Sequence, residues 1–150
     1  MVATEKKKTS LARAVFSGSL GNMLEWFDYG LYGYFAAIIS ADFFVADDPI
    51  VGLLLSFLVF GTGFLVRPIG GILIGAYADK HGRIKALTLT ILCMGVCTML
   101  MGCLPTYSQV GILAPILLTV LRLLQGLATG GEFGSSLTFI SEYGTPNNRA

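Results

Sequence analysis

The chain is 150 residues long, 54% hydrophobic and 13% charged, with a net charge of +1. A typical soluble domain is about 25% charged, so this composition leaves too little polar surface to cover a water-soluble globule. The near-neutral balance gives no basic footprint for nucleic acid, and Cys93, Cys97 and Cys103, apolar in context and far from histidine, read as buried small hydrophobes.

Lys6, Lys7, Lys8 and Arg13 precede the first long apolar run, about Val15 to Ile39. That run exceeds a signal-peptide core and no small-residue cleavage site follows it, so it is expected to stay as a helix. Three more runs follow, about Ile50 to Ala78, Ala86 to Leu104 and Ile112 to Ile140. Each is long enough for the roughly 20 apolar residues that span a bilayer core. None alternates polar with apolar, which favours helices over barrel strands. The expected fold is therefore all-α, a polytopic transmembrane helix bundle of four spans.

The loops set the direction. Lys80, Arg83 and Lys85 follow the second run and Arg149 follows the fourth. The segment from Ser40 to Pro49 carries Asp42, Asp47 and Asp48 without a cation, and Pro105 to Gly111 carries no charge. Positive residues mark the cytoplasmic side. Both termini and the second-to-third loop are therefore expected in the cytoplasm.

Charges also fall inside the apolar runs: Glu25 and Asp28 in the first, Arg67 in the second, Arg122 and Glu132 in the fourth. An unpaired charge near the bilayer centre costs about 2.5–3.5 kcal/mol on insertion scales. At about 1.5 Å per residue, Glu25 and Arg122 each lie roughly 15 Å deep, with Asp28 one turn further out. Arg67 comes out roughly 25 Å along an inward-running helix, near the cytoplasmic face. There it would snorkel or brace a gate, and Glu132 sits at a similar level. Asn22, Glu25, Asp28, Tyr29 and Tyr32 share one face of the first helix. Arg122, Gln125, Thr129 and Glu132 share one face of the fourth. Two such stripes point to a water-filled cavity between helices. Two readings of the carboxylates stand: interhelical glue with Arg122, or substrate and proton binding at the midplane.

Glycines four apart, Gly71 with Gly75, Gly126 with Gly130 and Gly130 with Gly134, allow close helix approach. His81 reads as a solvated loop residue. No catalytic constellation, phosphate loop or metal-ligand cluster is present, so neither an enzyme nor a cofactor is expected.

The segment Gly75-Ala-Tyr-Ala-Asp79-Lys-His-Gly82-Arg83-Ile-Lys85 is a tight turn in which Gly82 relieves the backbone and Asp79 is placed to cap a helix end. It resembles the G-x-x-x-D-[RK]-x-G-[RK]-x-[RK] loop between the second and third helices of the major facilitator superfamily. Gly21-Asn22-Met-Leu-Glu25-Trp26-Phe27-Asp28 resembles the G-N-x-x-E-W-[FY]-D signature of the metabolite:proton symporter family within it. Arg67-Pro68-Ile-Gly70-Gly71 and Arg122-Leu-Leu-Gln125-Gly126 with Gly130-Gly131-Glu132 resemble that family's second- and fourth-helix motifs. The resemblance runs from about Gly18 to Arg149.

It implies part of the first of two six-helix halves, with the remaining helices of the full-length chain as missing partners. It implies proton-coupled symport of a small organic solute, a carboxylate foremost, across the bacterial inner membrane. Relatives carry citrate, 2-oxoglutarate, shikimate, or proline and betaine. Ala78 to Arg83 and Ala114 to Gln125 look nearest to the 2-oxoglutarate and citrate carriers. The resemblance assigns substrate and proton handling to Glu25, Asp28 and Arg122, with Asn22, Tyr29, Tyr32 and Gln125 beside them. It assigns the cytoplasmic gate to Arg67, Gly75, Asp79, Gly82, Arg83 and Glu132. An uncoupled facilitator or channel, a compatible-solute carrier and a non-transporting membrane fragment remain as alternatives. The chain reads as truncated after its fourth span.

Overall fold

The computed structural model describes the backbone of residues 11–143 and the side chains of residues 21–131. All its regular structure is helical. The first apolar run forms α1, Leu11–Phe43. Asp48 then caps α2, Pro49–Leu65, its carboxylate accepting from the Ile50 N–H at 2.8 Å. Proline at the first helical position costs no hydrogen bond, because that N–H has no intrahelical partner.

The second run is not one straight helix. It breaks at Val66, after which α3 runs Arg67–His81. The cause is Pro68, which has no N–H for the Phe64 carbonyl and whose ring crowds it. Val66 N–H turns back to that carbonyl instead, and the ladder resumes with Gly70 N–H to Val66 O at 3.0 Å.

Between α3 and α4, Arg83–Gly102, stands the single residue Gly82 with φ of 94°. That backbone region favours glycine strongly, as expected for the loop motif. The capping role expected of Asp79 is not what the structure shows. Asp79 lies in the last turn of α3, and α4 starts at Gly82 with no side-chain cap. The uncharged connection holds one helical turn, α5 (Tyr107–Val110), before α6, Leu113–Tyr143.

Pro49–His81, Arg83–Gly102 and Leu113–Gly131 are each long and apolar enough to cross a membrane. Glu25, Asp28 and the tyrosines of α1 interrupt its apolar run, and it is not among them over the described residues. Large apolar side chains face outward on every span, Leu58, Ile72 and Leu92 among them. In lipid, that is the stable arrangement.

The interior is organised around α6, which packs on α1, α2, α3 and α4. Two kinds of contact hold it. Against α2 and α3 the backbones meet directly: a Cβ on Gly126 would overlap the Gly63 carbonyl, on Gly130 the Arg67 carbonyl, and on Gly70 the Leu127 carbonyl. Nothing lies within 4 Å of a Cβ at Gly75, so the seam uses Gly63 and Gly70 where spacing pointed to Gly75. Gly134 lies outside the described side chains. Near the C-terminal end of α1, Phe43, Val59, Ala114 and Leu118 form an apolar cluster joining α1, α2 and α6. The seam and the cluster hold α6 at a fixed height against α1 and α4, which positions the polar residues between them.

Candidate functional site

A buried polar network joins α1, α4 and α6. Arg122 is buried, and its Nη1 donates to Asp28 Oδ2 at 2.6 Å and to Gln125 Oε1 at 2.6 Å. Gln125 Nε2 donates to Asp28 Oδ1 at 3.1 Å and to Thr98 Oγ1 at 2.7 Å. Thr98 Oγ1 lies 3.2 Å from the same Asp28 oxygen. Both carboxylate oxygens of Asp28 are thus engaged. The Arg122 guanidinium carbon sits 4.5 Å from the Tyr32 ring centre and 4.4 Å from that of Phe60, over both aromatic faces. Tyr32 is held in turn by donating to the Ser56 carbonyl at 3.0 Å. Burying an ion pair is favourable only with good geometry and added hydrogen bonds; here the contact is 2.6 Å and both Asp28 oxygens accept hydrogen bonds.

A second pair lies one helical turn away on α1. Arg67 Nη2 meets Glu25 Oε1 at 2.6 Å, and the Tyr29 hydroxyl donates to the same oxygen. The Arg67 guanidinium covers the Phe64 ring at 4.4 Å and the Tyr29 ring at 5.2 Å. Its Nε is buried without a partner.

Most of the residues expected at the site converge. Glu25, Asp28, Tyr29, Arg122 and Gln125 line one cavity with Thr129, and Tyr32 roofs Arg122. Asn22 is exposed and apart from them, although it shares their helical period. The side chain of Glu132 lies outside the described residues. Arg67 lines the same cavity and is paired with Glu25. Gly75, Asp79 and Arg83 lie at the α3–α4 corner, away from the cavity.

The cavity is small. Its volume is about 20 Å³, room for one water and for no solute. Among the described residues the two polar stripes close on each other around it. Sequence reasoning missed Thr98, Phe60 and Phe64. Thr98 was within reach of depth arithmetic: twelve residues into its span, it lies about 18 Å deep, close to Asp28 at about 20 Å. Among the described residues no cluster of three or more His, Cys, Asp or Glu could hold a metal ion.

Apolar helices that pair four charges inside a bundle define a polytopic membrane protein built around an intramembrane polar site. Comparison with known proteins names the class. Residues 14–150 match the family described as sugar (and other) transporter, and the chain belongs to that family, within the major facilitator superfamily. It is 40% identical over 139 residues to the proline/betaine transporter of Escherichia coli, covering 93% of this chain and 28% of the relative. It is equally similar, over the same shares, to the glycine betaine/proline/ectoine/pipecolic acid transporter of Dickeya dadantii. It is 43% identical over 136 residues to the citrate-proton symporter of Salmonella typhi, covering 91% of this chain and 31% of the relative. The chain therefore spans under a third of the length of these relatives and aligns with their N-terminal portion. No solved structure matches. The family is one of transporters and not enzymes, and the protein is a multi-pass protein of the plasma membrane, the bacterial inner membrane.

Proposed function

We propose that the full-length protein is a secondary active symporter that couples proton entry to uptake of a small carboxylate-bearing solute by alternating access. The observation that carries this reading is the buried Asp28–Arg122 pair at 2.6 Å. While Asp28 is ionised, it neutralises Arg122. Protonation of Asp28 releases the guanidinium, whose donors can take a solute carboxylate bidentately. Proton and solute then favour each other's binding, and that coupling is reciprocal. Solute binding at this guanidinium would require the pair to part, which would tie binding to a conformational step. Glu25, Arg67 and Tyr29 form the neighbouring charge cluster that would re-pair during that step.

In this reading α1 crosses the membrane with the three more apolar spans, because both its carboxylates are paired. The α3–α4 corner, with Gly75, Asp79, Gly82 and Arg83, then faces the cytoplasm and stabilises one state of the gate, as does Glu132.

A second reading, a zwitterionic compatible solute such as proline or betaine, has its own support. The cavity is lined by Glu25, Asp28, Arg67 and Arg122, an even balance of charge that a zwitterion can satisfy at both ends. The test is uptake of labelled 2-oxoglutarate, citrate, proline and betaine into membrane vesicles holding the full-length protein, with and without an inward proton gradient. Gradient-stimulated uptake of one acid, or of proline or betaine, decides between the two solute classes. Uptake indifferent to the gradient would replace both with an uncoupled facilitator.

A further inference from the structure

We infer that Thr98 is a positioning residue that reads the charge of Asp28 and passes it to α4. The inference deepens the coupled reading above and rests on it. Thr98 Oγ1 has two acceptors in reach and one hydrogen to give: Asp28 Oδ1 at 3.2 Å and the Met94 carbonyl of its own helix at 3.0 Å. It also accepts from Gln125 Nε2 at 2.7 Å. A hydroxyl is one donor with two acceptor lone pairs, free to rotate.

The two states of Asp28 set that rotor differently. With Asp28 ionised, all its partners must donate, so the Thr98 hydrogen points at the carboxylate and bridges α4 to α1. With a proton on Oδ1, Asp28 becomes the donor. The hydroxyl then accepts from Asp28 and from Gln125, and its own hydrogen turns back to the Met94 carbonyl. The entering proton stays on Asp28, and no other proton leaves. The same stroke frees Arg122 Nη1 from a full negative charge while Gln125 Oε1 still accepts from it.

The groups facing Asp28 limit the alternatives. From α6 comes Arg122, and from α3 Arg67 reaches the same cavity. From α1 itself come Glu25, Tyr29 and Tyr32. From α4 comes Cys97, and from α2 the non-titrating Phe60. Contact between α1 and α4 is sparse, so the Thr98–Asp28 hydrogen bond is a leading link between these helices and the one that protonation reverses.

The experiment compares two modes of transport by the full-length protein in vesicles, using labelled proline and labelled citrate. One is proton-gradient-driven accumulation. The other is exchange of solute against solute at equal pH, which needs binding and rocking but no net proton movement. Thr98→Val keeps the shape and removes the hydroxyl. The expected result is that accumulation falls about tenfold further than exchange does, the scale of one charge-assisted hydrogen bond. Thr98→Ser, which restores the hydroxyl, is expected to recover accumulation. A coupled wild type whose Thr98→Val variant still accumulates solute overturns the inference alone. Equal loss of exchange and accumulation in both variants makes Thr98 a packing residue and overturns it too. A wild type that shows no gradient stimulation overturns the coupled reading and this inference with it.

Discussion

Asp28–Arg122 and Glu25–Arg67 are two ion pairs of the same length on neighbouring turns of one helix, and they are built differently. Both close at 2.6 Å, but the Arg122 side chain is 4% exposed and that of Arg67 is 28% exposed. Arg122 is tied to Asp28, Gln125 and two aromatic faces, and Asp28 to three donors. Arg67 has Glu25 and its aromatic faces, and leaves Nε without a partner. A fully satisfied buried network rigidifies a site, whereas a partly satisfied one is easier to open. Under the proposed coupled mechanism, the contrast would make Asp28–Arg122 the pair whose opening needs protonation and Glu25–Arg67 the pair that rearranges in response.

The largest effect expected on that contrast comes from Arg122→Ala. It strands the Asp28 carboxylate in a buried site, and breaking a buried pair costs about 3–5 kcal/mol. Thermal unfolding of the purified full-length protein checks this. Adding Asp28→Asn to the same protein is expected to recover part of the loss. If it recovers none, the penalty lies in packing against Tyr32 and Phe60 and not in the orphaned charge.

Gly130→Ala comes next. Its Cβ would overlap the Arg67 carbonyl, so it displaces the Arg67 pair through the backbone. Overpacking of this kind costs about 1–3 kcal/mol. The same unfolding assay is expected to show it.

Arg67→Ala is expected to cost about 1–2 kcal/mol, between the regimes for buried and exposed pairs. A loss equal to that of Arg122→Ala would erase the distinction between the pairs. Tyr32→Phe should do least, about 1 kcal/mol for the hydrogen bond to the Ser56 carbonyl. It keeps the aromatic face over Arg122, so substrate half-saturation should stay near wild type. A large change in half-saturation would mean the hydroxyl itself meets solute.

Legibility from the sequence followed how local each cause was. The helical spans were readable because apolar run length is a local property, and their observed ends fall within a few residues of expectation. Gly82 was readable because only glycine suits its backbone angle. Pro68 was readable in principle as a helix breaker, yet a continuous apolar run around it masked the break. Asp28, Arg122 and Gln125 stood out as polar groups in lipid-length helices. Thr98 did not, because a threonine in an apolar helix routinely satisfies its hydroxyl on its own backbone, as Thr88, Thr119 and Thr129 do here.

By itself, then, the sequence determined the membrane class, the helices, the glycine corner and which charges had to find partners, since hydropathy, backbone sterics and desolvation act residue by residue. Only the tertiary structure decided who pairs with whom. Helical period placed Asn22 on the face of Glu25, and Asn22 is exposed in the structure. The close glycine approach of α6 to α2 and α3 accompanies the pairing of Arg122 with Asp28, and Arg67 pairs with Glu25 between α3 and α1. Pairing across helices depends on how far the backbones can approach, and that distance is fixed by residues remote in sequence from the charges it joins.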